Sequence, residues 1–346
     1  MTLNAAAVPP RAFVESEASA PGFWQIGILW RVLATGLKTG GSLCMLDEVV
    51  GEEPGGPVTH SHPQDEGLYL LSGACTFFAG GLTMTAGPGS FVAIPRYTQH
   101  AFMAQACARF LNFYIPAGFE MLLMGVAAPA ERNEPPAPTD DVKMPPRRLV
   151  EKLAADYGQI PGRGVPFVDP PDLDQMVTEP LLGAVAMPFR SDRESAPAYW
   201  MAGILWSVLA QGSSTDGSYV LFEELCPKES GAPPHVHVYT DEVFYVLKGE
   251  AEFLTGSNRQ LVGRGSLVFV PKGTVHAFRV RSETARLLNL YSQAGFERII
   301  DLTGHRTEDR IIPPREFQPA QVPEARRAEL FVEIGMQTFD LADPFG

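Results

Sequence analysis

The sequence predicts an all-β protein made of two successive copies of one unit, each copy a block of short strands followed by a short helix. Three observations predict it. Short apolar runs recur between glycine and proline turns, and both residues are abundant, 33 and 31 in 346, which is the punctuation of a sandwich or barrel. A set of segments returns at a constant spacing along the chain, the mark of an internal repeat. A helix-like octad closed by glycine ends each copy. The length suits two domains, and a hydrophobic content of 45% supplies a core for each.

The repeat opens with "FWQIGILWRVLATG" from Phe23 and "YWMAGILWSVLAQG" from Tyr199, an offset of 176 residues. The same offset relates Tyr69 to Tyr245, Gly73 to Gly249, Gly89 to Gly265, Pro95 to Pro271 and His100 to His276. An offset of 177 relates Asn112 to Asn289 and the "AGFE" at Ala117 to that at Ala294. The octads "EKLAADYG" from Glu151 and "AELFVEIG" from Ala328 end in Gly158 and Gly335, placed for left-handed helix caps. The expected division is a strand block over residues 1–130, a proline-rich linker with a helical segment over 131–190, a second block over 191–303, and a helical tail over 304–346.

Composition excludes several functions. The net charge of −13 repels nucleic acid and anionic lipid, so a small molecule is the expected partner, with a homodimer left open. The first residues lack a basic segment followed by an apolar one, and no apolar run is long enough to span a bilayer, which leads us to expect a cytoplasmic protein. Cys44, Cys75, Cys107 and Cys226 show no CxxC spacing and are expected to be free thiols.

The histidines carry the chemistry. His60 and His62 stand two apart, so that on a strand they share a face, and Glu66 follows them. His235, His237 and Glu242 repeat the pattern, with one more residue before the glutamate. Each set is joined downstream by a third histidine beyond a Gly-x5-Pro turn, His100 and His276. Six of the seven histidines thus occupy equivalent places in the two copies, and only His305, expected at the surface, is left over. Three neutral imidazoles and one carboxylate suit a divalent transition metal, up to two per chain. Iron, manganese, nickel, cobalt and copper are all compatible with such nitrogen-rich ligands. Glu66 and Glu242 are also the candidate catalytic bases.

These residues resemble the two signature motifs of the cupin superfamily, and their duplication resembles a bicupin. His60, His62, Glu66, Gly73 and His235, His237, Glu242, Gly249 match the first motif; Gly89, Pro95, His100 and Gly265, Pro271, Gly273, His276 match the second. The leading glycine is displaced, with Pro54 and Glu229 at its place and Gly55, Gly56 and Gly231 nearby. Tyr97 replaces the second-motif glycine of the first copy, where a turn adaptation is expected, and Ala104 and Val280 replace the final asparagine.

The resemblance implies two jelly-roll barrels, each with a metal inside. Alternation from the glutamates then places Leu68, Leu70 and Phe102 in the first pocket and Phe244, Val246 and Phe278 in the second, so the expected substrate is apolar or aromatic. Among bicupins the chain looks most like the quercetin 2,3-dioxygenase (flavonol dioxygenase) type, which implies cleavage of an aromatic or enolic molecule by dioxygen with the glutamate as base. A non-redox isomerase, cyclase, lyase or decarboxylase and a non-catalytic ligand-binding bicupin remain open. An oxalate-type dianion would need a cation in the site, and Arg96, in a turn, is the one candidate.

Overall fold

The computed structural model describes residues 9–162, 186–318, 321–339 and 343–345. The remainder of the expected linker, 163–185, lies outside the described residues, as do parts of the tail. The chain divides into two compact units, Glu17–Asp192 and Arg193–Gly346, the latter joined by the N-terminal segment that ends at Ser16. In each unit the described residues form an eight-stranded and a five-stranded sheet, antiparallel throughout.

In the first unit the large sheet runs Ala128–Pro129, Gly22–Gln25, Ile28–Ala34, Cys44–Val50, Arg109–Ile115, Asp65–Ser72, Ser90–Ile94 and Phe189–Asp192. The small sheet runs Ile160–Pro161, His60–Ser61, His100–Ala104, Cys75–Ala79 and Leu82–Ala86. The second unit repeats this plan. Its large sheet is closed at one edge by Phe13–Ser16 and at the other by His305–Thr307, and its small sheet by Met336–Thr338, which pairs with His235–His237. The repeat places residues 1–130 in the first block, but Phe13–Ser16 pairs with Ser266–Val270 of the second unit. In turn Phe189–Asp192 pairs with Ser90–Ile94 of the first.

Period-two alternation puts Leu68, Leu70, Val92, Ile94 and Phe110 into one core, and Phe222, Phe244, Val246, Val268 and Phe278 into the other. Each such burial contributes roughly 1.5–3 kcal/mol, so each unit has the material to fold about its own sheets.

The departures from the motif have local causes. Tyr97 holds φ of 64° and Gly273 φ of 80°, and their N–H groups donate to His62 O and His237 O, both at 2.7 Å. Tyr97 therefore adopts the left-handed turn that glycine holds in the other copy. Gly56 and Gly231 explain the displaced glycine. A Cβ at either would lie 1.9 Å from a carbonyl oxygen, that of Phe102 or Phe278, so only glycine lets these segments lie against the third-histidine strands.

Among the described residues, four helices of at least seven residues follow the strands. Phe119–Val126 and Glu297–Thr303 come directly after the strands that end at Ile115 and Ser292. Arg147–Asp156 and Glu324–Ile334 contain the two expected octads, with Gly158 and Gly335 at φ of 74° and 68°. The repeated "AGFE" marks the start of the first pair. Glu120 accepts the N–H groups of Gly36 and Gly118 at 2.7 and 2.8 Å, and Glu297 those of Gly212 and Gly295 at 3.0 and 2.7 Å. No helix among the described residues is long and apolar enough to cross a membrane.

Candidate metal centre

The fold brings the eight sequence-predicted polar residues together as two groups of four, each inside one unit. In the first, His60 and His100 are direct partners in the small sheet, His62 lies just past the end of its strand, and Glu66 reaches in from the large sheet strand Asp65–Ser72. The second is built alike, with His235 paired to His276 and Glu242 on Asp241–Lys248. All eight are buried. In the second unit the candidate ligand atoms of His235, His237, Glu242 and His276 all lie within 4.8 Å of one another, whereas in the first the group this tight is His60, His62 and His100. Glu66 approaches that trio through Oε2, 3.3 Å from His62 Nε2 and 3.0 Å from His100 Nε2.

Hydrogen bonding decides which imidazole nitrogen faces inward. The Nδ1 atoms of His60, His62 and His100 lie 2.8, 3.0 and 2.8 Å from the backbone oxygens of Val58, Gln64 and Thr98. Those of His235 and His276 lie 2.8 and 2.9 Å from Pro233 O and Thr274 O. A carbonyl only accepts, so each Nδ1 carries the hydrogen and each Nε2 presents a lone pair. The Nε2 atoms of His100 and His237 are buried without a hydrogen-bond partner. Lone pairs and a carboxylate oxygen thus converge on one point, an arrangement that only a positive charge between them makes favourable. The residues present fit a divalent metal ion.

The electrostatics agree. Burial, then the neighbouring histidines His100 and His62, push His60 down to about 3, and burial with His276 does the same to His235. Both are neutral ligands at ordinary pH. Burial alone would raise Glu66, but the imidazoles of His100 and His62 beside it hold its carboxyl well below the usual range. Glu242 is likewise lowered against burial by His276 and His237. Burial lowers His276, but the charge of Glu242 more than reverses this and leaves it raised.

Sequence reasoning missed the groups behind the glutamates. Asn112 Nδ2 donates to Glu66 Oε1 at 2.8 Å and to Glu48 Oε1 at 2.9 Å, and Tyr114 OH donates to Glu66 Oε1 at 2.9 Å. In the second unit Asn289 Nδ2 bridges Glu242 Oε1 at 3.0 Å and Glu224 Oε1 at 2.8 Å, with Tyr291 OH at 3.2 Å from the same nitrogen. Burial, then the charge of Glu66, raises Glu48 well above the carboxylate range against the Asn112 hydrogen bond, and burial carries Glu224 up to about 8. Each site thus sets a front glutamate whose carboxyl is lowered against a rear one whose carboxyl is raised. The signal was in the repeat: Glu48 and Glu224, Asn112 and Asn289, and Tyr114 and Tyr291 recur at its offsets.

The first site opens into a cavity of about 600 Å³. His60, Glu66 and Tyr114 form its polar end, and Trp30, Phe102, Phe119, Leu123 and Val126 much of its apolar wall. Phe102 lines it as the alternation implied, while Leu68 and Leu70 are fully buried in the core. Phe244, Val246 and Phe278 belong to the core of the second unit. Much of the wall comes instead from the helix Phe119–Val126 and from Arg147–Asp156, which contributes Val150, Glu151 and Ala154. Arg96 is not part of it. Its guanidinium pairs with Asp65 at 2.9 Å.

Comparison with known proteins agrees with this geometry. The cupin domain family matches residues 48–114 and again 221–291, spans that contain the two groups. Quercetin 2,3-dioxygenase of Bacillus subtilis (strain 168) is 23% identical over 292 residues, 82% of this chain and 84% of that protein. The structure of oxalate decarboxylase from Bacillus subtilis at pH 4.6 superposes with a TM-score of 0.55 at 15% identity, over 83% of this chain and 77% of that one. A second structure, of the Bacillus subtilis oxalate decarboxylase in which EPR fine structure parameters of the Mn(II) centres were assigned, gives 0.55 and 15% over 83% and 78%. With one cupin match over each group of three histidines and a glutamate, the chain belongs to the cupin superfamily as a bicupin.

Proposed function

We propose that the chain is a metal-dependent dioxygenase of the quercetinase type, acting on a neutral, flat aromatic or enolic molecule, and that its first barrel is the reaction chamber. The observation that carries this reading is the cavity of about 600 Å³, a volume within the range that suits a small organic ligand. It ends on His60 and Glu66 and is otherwise mostly apolar. No lysine or arginine lines it among the described residues. A dicarboxylate would enter without a counter-charge other than the metal, at a desolvation cost the wall does not offset.

The residues divide the work. His60, His62 and His100 hold the ion through Nε2, with Glu66 beside them. A divalent transition metal there supplies polarisation of a substrate oxygen and, if redox-active, a path for electrons to dioxygen. Glu66, held anionic, accepts the enol proton of a substrate lying in the cavity. Trp30, Phe102 and Phe119 exclude water and offer faces for an aromatic ring.

Asymmetry between the barrels supports the assignment. Phe222 stands where the first copy has Leu46, and it meets Trp206 and Phe296 at 5.7 and 5.9 Å between ring centres. Phe296 also lies 5.9 Å from His237. The second site is thus packed with aromatic side chains, and its four ligand groups lie close together, which suits a structural metal.

The test is dioxygen uptake by metal-stripped protein reloaded separately with iron, manganese, nickel, cobalt or copper, with quercetin as the probe. Metal-dependent uptake with loss of the flavonol absorption band is expected, abolished by His60→Ala and largely retained in His235→Ala. No uptake by protein shown to hold metal sinks the dioxygenase reading and moves the site to non-redox chemistry with Glu66 as base. Uptake lost only in His235→Ala sinks the assignment of the first barrel.

A further inference from the structure

We propose that Asn112 and Tyr114, with Glu48 behind them, are positioning residues that tie off one oxygen of Glu66 so that only the other faces the metal, and that Asn289, Tyr291 and Glu224 do the same for Glu242. The inference rests on the metal-centre reading above and goes beyond it, because none of these six residues belongs to the ligand set.

The geometry is specific to the two oxygens. Glu66 Oε1 receives Asn112 Nδ2 at 2.8 Å and Tyr114 OH at 2.9 Å, while Oε2 faces the Nε2 atoms of His62 and His100. In the second barrel Glu242 Oε1 receives Asn289 at 3.0 Å, and Oε2 lies 2.7 Å from His276 Nε2 and 3.4 Å from His237 Nε2. The same oxygen plays the same part in both copies. An oxygen that accepts two hydrogen bonds in a buried site is poorly free to swing toward a cation, since turning it strands two buried donors.

Each positioning residue is itself held. An amide nitrogen has two hydrogens, and Asn112 spends one on Glu66 and one on Glu48, so Glu48 fixes the plane of the amide. Glu48 and Asn112 are fully buried and come from the adjacent strands Cys44–Val50 and Arg109–Ile115. Tyr114 is fixed by its ring, stacked on Phe119 at 4.3 Å and 17°, as Tyr291 is on Phe296 at 4.4 Å and 7°. Groups of this kind orient ligands and set their affinity for the metal.

The test is titration of Mn(II) into metal-free protein, read from the electron paramagnetic resonance signal of the free ion. A His235→Ala background leaves only the first site complete. Tyr114→Phe keeps the stacked ring and removes only the hydroxyl. Asn112→Leu removes both amide bonds. Each is expected to weaken Mn(II) binding about 10–100-fold and to change the spectrum of the bound ion, with circular dichroism confirming the fold. Glu48→Gln still offers an oxygen to Asn112 and is expected to restore binding to near the parent value, whereas Glu48→Leu is not. Should Asn112→Leu fail to fold, Tyr114→Phe decides. Parent-like affinity and spectrum in folded Tyr114→Phe overturn the positioning role. A parent that binds no Mn(II) overturns it together with the metal centre on which it rests, and the two failures are separately visible.

Discussion

At the scale of single residues, the site is a buried set of acceptors that a cation would satisfy, and metal-free protein has a pH dependence with a definite sign. His60 and His235 sit near 3 in the fold but return to about 6.5 when unfolded. Between those values the unfolded chain binds more protons, so their contribution to stability is present at neutral pH and lost as pH falls from about 6.5 toward 3. Glu66 and Glu242, lowered in the fold, act in the same direction at the acid end. His276 opposes them, since its raised value makes its contribution complete below 6.5 and lost as pH rises through that value. Melting temperatures of metal-free protein across pH 7 to 4 are expected to fall, and to fall less steeply in His60→Gln/His235→Gln. An unchanged slope in that variant contradicts the assignment. The ligands were legible in the sequence because two histidines at a strand period, written twice, leave little else for them to be. Asn112, Tyr114 and Glu48 were not, because a polar residue inside a strand looks the same whether it faces solvent or a buried carboxylate. Only repetition at the same offset set them apart.

At the scale of elements, the two post-barrel helices show how one pattern serves two ends. Both octads were legible, each closed by a glycine that takes the left-handed conformation. What each helix covers was not. In Glu324–Ile334, Leu330 and Ile334 are buried in the core of their unit, while Arg147–Asp156 buries none of its residues and lends Val150 and Ala154 to the cavity wall. The helix Phe119–Val126 went unread because "FEMLLMGV" is apolar almost throughout, with no polar face to set a helical period. These placements separate stability from binding. Leu330→Ala is expected to cost about 2–4 kcal/mol in denaturant unfolding, through lost burial and a residual cavity. Val150→Ala is expected to cost less than about 1 kcal/mol yet to change the affinity for an aromatic ligand of the first barrel. Similar unfolding costs for the two would show that the helices are equivalent after all. Gly56→Ala tests the close approach to Phe102. Overpacking there is expected to destabilise by roughly 1–3 kcal/mol, with a shifted His100 strand read as weaker metal binding.

At the scale of the whole molecule, the repeat conveyed two units but not which strands complete them. Phe13–Ser16 precedes the first unit in sequence and closes the large sheet of the second, through Phe13↔Phe269 to Ser16↔Ser266, with the Phe13 and Phe269 rings stacked at 5.3 Å. Nothing in a four-residue run such as "FVES" names its partner, because main-chain pairing is indifferent to sequence and one short apolar-polar alternation matches many edges. The consequence is that the two units are unequal when separated. A fragment of residues 17–192 keeps its own edge strand, Phe189–Asp192. A fragment of 193–346 exposes the edge of Ser266–Val270, whose Leu267, Val268, Phe269 and Val270 are buried in the intact chain. An unpaired edge of this kind templates association with further copies. Sedimentation velocity is expected to show the first fragment as one species that still binds a single metal ion. The second is expected to self-associate with rising concentration, and a peptide of residues 9–18 should suppress that association by restoring the missing strand. If 193–346 alone stays as well dispersed as 17–192 and ignores the peptide, the N-terminal strand is decoration. If the peptide reverses association, Phe13–Ser16 is a structural part of the second unit, and the large sheet of that unit is complete at its edge only when this strand pairs with Ser266–Val270.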